Sequence, residues 1–507
     1  MSTAATEAAT TGPKGFQGNE KLLWGIVLGV TTFWLFAGTT GTVARNMLEE
    51  INGPASSPGV WANPHVSVNQ MNLAVSITAL FSGLFIVLAG GLSDKLGRVK
   101  MAMAGNVLGL VGSLLVVLAT GSLALPLLLT GRAIQGLSAA CIMPSTMALL
   151  KAYWDGPARQ RAVSMWSIGS WGGSGLAAIF GGFVASNLGW RYIFWASIVI
   201  SLISIAMMWG TPESRAERSA PRAFDIVGLG VFIVAVLALM VVVIFGAQLG
   251  WASPATLGLT AVALIGLAVF VWWEKKQENP FMDFSLFKNK TFTGATISNF
   301  TINATIGLLI VSQQMLQLAR PERFDPWRAG LLTLGYAITI IGFIRVGEKL
   351  LQRFGPRKPM LWGALIVGLV CILLAMTQTL VATYTALAVV AYSLFGLGLA
   401  FYATPSTDAA LANLPASQSG SGSGIYKMAS SLGSAMGAAL SLAIFTAVMG
   451  GDSTLIGEVI HMQGIQSNAA IRTAGMVTML FNLALVVVSV VAIMLTVPKQ
   501  EEQQAQG

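Results

Sequence analysis

Fourteen stretches of the chain are almost uninterrupted runs of apolar residues, and short polar segments separate them. A helix needs about 20 apolar residues to cross the hydrocarbon layer of a membrane, because each residue advances the helix by about 1.5 Å. The pattern therefore predicts fourteen transmembrane helices, over residues 21–45, 69–92, 101–120, 123–151, 162–186, 191–210, 224–247, 254–273, 293–318, 328–347, 359–378, 383–410, 421–449 and 472–497.

The amino-acid composition supports this prediction. Of the 507 residues, 55% are hydrophobic and only 10% are charged, whereas about 25% of the residues of a typical soluble domain are charged. A soluble globule could not bury so much apolar surface, so the repeated apolar runs indicate a helical protein that crosses the membrane many times. The 56 glycines suit such a protein, because small residues let helix backbones approach one another closely.

The basic residues lie mostly in alternate connections between the predicted spans. Connections rich in lysine and arginine stay on the cytoplasmic side, so we expect a plasma-membrane protein with both termini in the cytoplasm. Topology and anionic lipids then account for the net charge of +9, and no nucleic-acid partner is expected. The residues concerned are Lys95, Arg98, Lys100, Arg159, Arg161, Arg215, Arg218, Arg222, Lys275, Lys276, Lys288, Lys290, Arg353, Arg357 and Lys358.

Two short motifs recur at nearly the same offset and predict an internal repeat. Pro144-Ser145-Thr146 in the fourth span returns as Pro405-Ser406-Thr407 in the twelfth, an offset of 405 − 144 = 261. The segment 350–358 is a partial match to the charged segment around Asp94. It has Gln352 at the position of Asp94, an offset of 352 − 94 = 258. Transporters built from such repeats hold their substrate near the middle of the membrane, between the two halves. The predicted organisation is a cytoplasmic tail (1–20), a six-helix bundle (21–210), two linking helices (224–273), a second six-helix bundle (293–497) and a cytoplasmic tail (498–507).

The segment Gly90-Gly91-Leu92-Ser93-Asp94-Lys95-Leu96-Gly97-Arg98-Val99-Lys100 carries four charges between two apolar runs. So short a link makes the second and third spans neighbours and keeps the charges at a water-facing surface. Gly90 and Gly97 allow close backbone approach or unusual dihedral angles. Asp94 can cap the following helix or pair with a nearby arginine or lysine, and we assign Asp94 and Arg98 to gating. A plain basic loop is the alternative interpretation.

Arg132 lies well inside the fourth predicted span, where an unpaired guanidinium is costly. It must therefore face a polar interior and find hydrogen-bond partners, and Gln135 is placed to pack or bond beside it. A functional role for this buried arginine is the first interpretation. The alternative is a structural arginine that ties helices together through backbone carbonyl groups.

Two further acidic residues, Glu348 and Asp408, lie in or against the spans. Asp408 directly follows the second Pro-Ser-Thr motif, and Lys427 near the start of the next span is its predicted partner. Burial favours the neutral carboxyl group and a neighbouring cation favours the charged form, so a proton carrier and a helix-end charge both remain open for Asp408. Glu348, with Arg345 and Lys349 beside it, is expected to form a gate or an ion pair.

Aromatic and amide side chains in the first, fourth, fifth and ninth spans can line a substrate pocket. An apolar, aromatic cavity with a few amides suits flat amphipathic or cationic compounds. Ordinary packing is the alternative role for each of these residues. The small residues of the fifth span also allow a tight helix crossing that can act as a hinge. The pocket candidates are Phe33, Trp34, Phe36, Gln135, Trp166, Trp171, Asn299, Asn303, Gln313 and Gln314.

The charged segment 90–100 resembles the loop between the second and third spans of the major facilitator superfamily, and Arg132-Ala133-Ile134-Gln135-Gly136 resembles its fourth-span motif. This resemblance implies an all-α membrane protein with the major facilitator fold, two six-helix bundles plus two extra spans. It also implies a part for Arg132 in proton coupling. Longer stretches are similar to the NorB/NorC-type quinolone efflux pumps of the fourteen-span drug:proton antiporter branch, namely 25–30, 32–37, 77–83, 139–144, 166–175, 345–351 and 424–433. That similarity implies proton-driven export of fluoroquinolones and other amphipathic or cationic compounds by alternating access.

Two departures from the drug-antiporter pattern keep a second interpretation open. Ala177-Ala178 stands where drug antiporters usually carry Gly-Pro, and Phe36-Ala37-Gly38-Thr39-Thr40 lacks the carboxylate that many fourteen-span pumps have in the first span. An importer or facilitator of a small metabolite, linked to protons, is therefore the alternative. An enzyme is not expected, because the sequence shows no nucleotide-binding loop, metal cluster or nucleophile constellation. We expect no cofactor, and we expect a functional monomer.

Overall fold

Helices make up almost all of the chain that the structure describes. The computed structural model describes residues 16–53, 66–215, 225–277, 280, 282, 284–319, 330–412, 414, 419–450, 463 and 468–499. Five residues in π-helical conformation, Ile168–Gly172, join α5 to α6. Within the described ranges we number sixteen α-helices and find no β-strand: α1 (Glu20–Asn52), α2 (Val68–Leu96), α3 (Arg98–Val117), α4 (Ala124–Tyr153), α5 (Gly156–Ser167), α6 (Gly173–Asn187), α7 (Arg191–Met208), α8 (Ile226–Leu249), α9 (Pro254–Glu274), α10 (Lys290–Ala304), α11 (Gly307–Ala319), α12 (Leu334–Phe354), α13 (Arg357–Ala375), α14 (Val381–Ala412), α15 (Ser419–Gly450) and α16 (Ala469–Thr496).

Each of the fourteen predicted spans corresponds to a helical segment of this set. α5, the π-helical segment and α6 form one span, which is bent by 46° between Ala177 and Ile179, and α10 with α11 forms another. In the described residues, eleven segments are long and apolar enough to cross a membrane, and the bent pair makes twelve. The other two are α1 and α12, and α12 carries several charged residues near its end, which lowers its hydropathy. The prediction of an all-α membrane protein is confirmed.

The outer surface of α3 shows why the bundle belongs in a membrane. Val107, Val111, Leu114 and Leu118 are exposed and follow one another at helical spacing. On the opposite face, Gly112 packs against α4. Soluble proteins rarely expose so large an apolar surface, and similar stripes of exposed leucine, isoleucine and valine run along α9, α13 and α16. The chain is therefore a multi-pass membrane protein.

The helices pair in a pattern that occurs twice. We call α1–α7 the first half and α10–α16 the second half. In the first half, α4 packs against α2 and α3, and α7 packs against α1 and α3. In the second half α14 packs against α12 and α13, and α16 packs against α10 and α13. The extra helices α8 and α9 pack against each other, and α8 also contacts α2 and α15. This repetition in space matches the repeat that the two sequence offsets predict.

The boundary between α2 and α3 differs from the prediction. A loop was expected between residues 92 and 101, whereas α2 runs to Leu96, α3 begins at Arg98, and Gly97 alone lies between them. Gly97 has φ 122°, a conformation that favours glycine. Lys95 and Lys100 at this junction are exposed. Asp94 and Arg98, which were expected at a water-facing surface, are buried, because they bind each other and Asp94 also accepts a backbone N–H group.

Glycines let α15 cross α10 at very short range. A Cβ atom at Gly433 or Gly437 would meet the backbone of Phe300 or Ala304 on α10. Side chains cannot yield here, because the obstructing atoms belong to the main chain. Such crossings set the distance between helices in the second bundle.

We predict that Gly437→Ala lowers the free energy of unfolding by about 1–3 kcal/mol, the usual cost of overpacking. Gly258 on α9 is the matched control, because nothing lies within 4 Å of a Cβ atom built there. Gly258→Ala should leave stability unchanged or raise it slightly. Thermal unfolding of the detergent-solubilised proteins measures both effects. Equal midpoints for the two variants would contradict the crossing described here.

Candidate functional site

Charged side chains gather at one end of the bundle, where α2 meets α3, α4 meets α5 and α14 meets α15. We call this the basic end. It includes four of the six residues that the sequence assigns to coupling and gating, and two further cations join them. These residues are Asp94, Arg98, Glu348 and Asp408, together with Lys151 and Arg159.

Asp94 links the two halves of the chain. Its Oδ1 atom lies 2.8 Å from Arg98 Nη2 and accepts the backbone N–H of Gly420 at 3.0 Å, while Oδ2 accepts the N–H of Ser421 at 3.0 Å. A carboxylate from the first half thus caps the start of α15 in the second half, where the helix dipole favours negative charge. Gly90 makes the approach possible, because a Cβ atom there would meet the carbonyl oxygen of Gly420. We call this arrangement the Asp94 clamp.

A second link holds the end of α14. Lys151 Nζ donates to the carbonyl oxygen of Leu411 at 2.8 Å and to that of Leu414. Arg159 Nε lies 3.2 Å from Asp408 Oδ1. A cation at the C-terminus of α14 complements the helix dipole in the same way that Asp94 complements the start of α15. Groups from the first half therefore hold both ends of the α14–α15 connection.

The predicted pairing of Asp408 with Lys427 is wrong. Asp408 lies near the end of α14 and pairs with Arg159, whereas Lys427 lies eight residues into α15 and points towards the first half. At about 1.5 Å per residue, Lys427 is about 12 Å from the start of its helix. The two residues are close in sequence but have different partners and lie at different depths.

Lys427 lies at the interface between the two halves of the chain, which we call the divide. Its side chain is 5% exposed, and Nζ lies 4.3 Å from the centroid of the Trp166 ring and 3.4 Å from Ser170 Oγ. Trp166 is held in place by a hydrogen bond from Nε1 to Thr146 Oγ1 of 3.0 Å. Ser170 belongs to the π-helical segment, a distortion that is frequent at functional sites.

Arg132 is fully buried in α4 and holds α4 against α2. Nε donates to the carbonyl oxygen of Ala74 at 3.0 Å, Nη2 to that of Val75 at 3.3 Å, and Nη1 to Gln135 Oε1 at 2.9 Å. Gln135 in turn donates to Ser113 Oγ on α3. These contacts are those expected of a structural arginine. Arg132 and Lys151 are 151 − 132 = 19 positions apart on α4, which puts Arg132 about 28 Å from the basic end.

The predicted aromatic residues of α1 and the π-helical segment pack in different places. Phe33 and Trp34 on α1 lie edge to face, with ring centroids 5.1 Å apart, and Trp34 packs against Gly173. Trp171 is buried in the core of the second half. The side chain of Phe36 lies outside the described residues.

The predicted amides fall into two groups. Asn299 donates to the carbonyl oxygen of Tyr426 at 2.9 Å and to Ser430 Oγ at 2.6 Å, so it ties α10 to α15. Asn303 donates back to Asn299. Both asparagine side chains therefore form hydrogen bonds to residues of the second half. The pair on α11, Gln313 and Gln314, is half-buried.

Glu348 lies 3.1 Å from Arg345 on the same helix, α12.

Sequence reasoning missed three other residues of the basic end. Lys151 was not singled out, Arg159 served only to mark orientation, and Glu213 was not considered. Glu213 accepts the backbone N–H groups of Val99 at 2.9 Å and of Lys100 at 3.1 Å, and so caps α3. No local pattern marks these residues, because their partners are distant in sequence.

Two repeated helical bundles in a membrane, joined by charged links at one end and with a buried polar divide between them, define a secondary transporter. The sequence profile of the Major Facilitator Superfamily matches residues 35–438. The chain belongs to this superfamily, as its motifs predict.

Curated relatives match nearly the whole chain. The quinolone resistance protein NorB of Staphylococcus aureus strain MRSA252 is 43% identical over 489 residues, covering 96% of this chain and 98% of the relative. The NorB protein of strain COL is 44% identical over 493 residues, covering 97% and 98%. The resemblance to quinolone efflux pumps of the NorB type is confirmed.

Solved structures show the same fold. The human organic anion transporter MFSD10 (TETRAN) superimposes with a TM-score of 0.60 at 15% identity, covering 92% of this chain and 99% of that chain. The proton:xylose symporter XylE gives a TM-score of 0.60 at 16% identity, covering 96% and 97%. The prediction of the major facilitator fold is confirmed.

Proposed function

We propose that this protein exports fluoroquinolones and other amphipathic drugs in exchange for protons, by alternating access. The observation that carries the proposal is the similarity to quinolone resistance proteins along almost the entire chain. The buried divide between two bundles supplies the architecture that alternating access requires. One proton moving down 100 mV releases about 2.3 kcal/mol, enough to sustain a useful drug gradient.

In this proposal the basic end faces the cytoplasm of a plasma-membrane protein, and both termini lie on that side. The bundles span 21–210 and 293–497, with 224–273 as linking helices, and the monomer is the working unit. The Asp94 clamp and the Arg159–Asp408 pair then close the cytoplasmic side. The drug would leave from the opposite side before the bundles rock back.

The charged groups of the basic end would act as the gate. Opening it means separating Asp94 from Gly420 and Asp408 from Arg159. Protonation of Asp94 or Asp408 would weaken its hydrogen bonds and ion pair, so these two are proposed proton carriers. Glu348, which is paired with Arg345, is the third. Arg132 would transmit movement between α2 and α4 through its carbonyl contacts.

The test is fluoroquinolone movement into inside-out-oriented proteoliposomes with an imposed pH gradient, acidic inside. We expect accumulation that follows the size of the gradient and collapses when a protonophore is added. Protein-free vesicles correct for passive diffusion. Movement of a metabolite instead of the drug, in the same direction as the protons, would favour the importer and overturn this proposal.

A further inference from the structure

Most buried cations of the described chain have strong partners. Arg98 has Asp94, Arg159 has Asp408, and Lys151 has the carbonyl oxygens at the end of α14. Arg132 has two carbonyl oxygens and an amide oxygen. Lys427 differs from all of them.

The Lys427 ammonium is held without being neutralised. Within the described residues no carboxylate oxygen lies within 4.0 Å of Nζ, and its hydrogen bond is a long one of 3.4 Å, to Ser170 Oγ. The ring of Trp166 attracts the charge but accepts no conventional hydrogen bond. An ammonium group has three donors, so donors remain for an additional acceptor. A charge buried in this way is costly unless an anion compensates it.

The direction of the side chain also points to a ligand. A lysine that only needs hydration extends towards the nearest water surface, which for Lys427 is the basic end. Trp166 lies ten residues into α5 from the basic end, and Ser170 lies four residues further on. The Lys427 side chain therefore reaches inwards, towards the part of the divide where a transporter holds its cargo.

The surroundings suit an aromatic cargo. One turn beyond Ser170, the half-buried indole of Trp34 packs against Gly173. The Nε1 atoms of Trp34 and Trp171 are buried without a hydrogen-bond partner in the described chain. Aromatic faces beside an uncompensated cation match a planar ring that carries a carboxylate.

We propose that Lys427 and Ser170 bind the carboxylate of an aromatic acid or zwitterion, with Trp166 holding the ammonium in place. This rests on the proposed function and narrows its substrate class: the carboxylate of a fluoroquinolone is recognised, and compounds that are only cationic gain nothing at this subsite. The sequence predicts a pocket for flat amphipathic or cationic compounds, and the proposal adds to that prediction a preference for a negative group at one position.

The test compares ciprofloxacin with its methyl ester, which keeps the ring system and removes the negative charge. Binding to the full chain in lipid nanodiscs is measured for wild type, Lys427→Gln and Lys427→Arg. We expect wild type to bind the acid about tenfold or more tightly than the ester, since hydrogen bonds to charged groups are worth that much. In Lys427→Gln the acid should fall to the level of the ester, and in Lys427→Arg part of the preference should return.

The ester also reports on folding, since Lys427→Gln should bind it at least as tightly as wild type does. Equal binding of acid and ester by the wild-type protein would overturn the subsite and leave drug export standing. Loss of ester binding in Lys427→Gln, with an unchanged unfolding midpoint, would also overturn it, because Lys427 would then serve the whole cargo. Failure of the wild type to bind either compound would remove the proposed function itself.

Discussion

Replacing Asp94 with Asn is expected to open the basic end and to slow drug transport by about tenfold, as the closed state loses its population. Asp94 receives two bonds from Arg98, at 2.8 and 3.2 Å, and one from each of the backbone N–H groups of Gly420 and Ser421 at the start of α15. Asparagine has the same size but no charge, and its NH2 group faces N–H donors. Each bond to a charged group is worth about 1.5–3 kcal/mol, so the ratio of closed to open states should fall about tenfold to a hundredfold.

Glu213→Gln is the matched control for this prediction. Glu213 also caps a helix start with a carboxylate, but its partners Val99 and Lys100 belong to the same half of the chain. Its loss should lower stability without moving one half relative to the other. A general effect of removing a charge would appear in both variants, and an effect on gating only in Asp94→Asn.

Spin labels at Leu96 and Gln352, exposed positions on the two halves at the basic end, report the opening directly. Cys141 and Cys371 are free and must be replaced before labelling. The distance distribution should broaden towards longer values in Asp94→Asn and stay as in wild type in Glu213→Gln. An unchanged distribution together with full transport in Asp94→Asn would show that the clamp does not hold the gate.

Replacing Arg132 with Ala is the second change with a large expected effect. Its guanidinium is fully buried. Without it, three buried acceptors lose a hydrogen-bond donor: the carbonyl oxygens of Ala74 and Val75 and the amide oxygen of Gln135. Each buried acceptor left without a donor is expected to cost about 1–3 kcal/mol of folding stability, and the cavity left by the missing side chain adds to that cost. Much of the protein should then fail to reach the membrane in folded form, and transport should be lost with it.

Arg132→Lys separates stability from coupling, and Arg472→Lys is its control. Arg472 in the second half holds its neighbours in a similar way, through the carbonyl oxygens of Thr377, Thr379 and Gln463. Both lysine variants keep the positive charge but lose the planar, forked set of donors that binds several oxygens at once. Both should therefore unfold at lower temperature. If coupling depends on Arg132, drug transport per folded molecule should fall in Arg132→Lys and persist in Arg472→Lys. Equal transport by the two variants would leave Arg132 a structural residue.

The helices were predictable because their signal is local. A run of about 20 apolar residues spans the membrane whatever its neighbours are, and all fourteen runs became helical segments. The ends were less predictable, since α2 and α12 continue beyond their apolar runs. Asp94, Arg98, Glu348 and Asp408 of the candidate site were also recognisable, because a charge in or against an apolar run has to be compensated somewhere.

Their partners were not predictable. Asp94 binds Gly420, 326 residues away, and Asp408 binds Arg159, 249 residues away. Lys427 was expected beside Asp408 and lies instead over Trp166. Which residues meet across the divide depends on how each helix is rotated and where it crosses its neighbours, and no periodicity in the chain encodes that.

The sequence by itself therefore determined the number of spans, their repeat and the places where charges enter the membrane, because hydrophobic burial is set by each segment alone. Only the tertiary structure decided that an acid and a lysine of the first half hold the α14–α15 connection, and that Lys427 lies in the divide with no neighbouring carboxylate in the described chain. Those arrangements arise from the packing of the two bundles against each other, where short-range hydrogen bonds form between residues brought together by the fold.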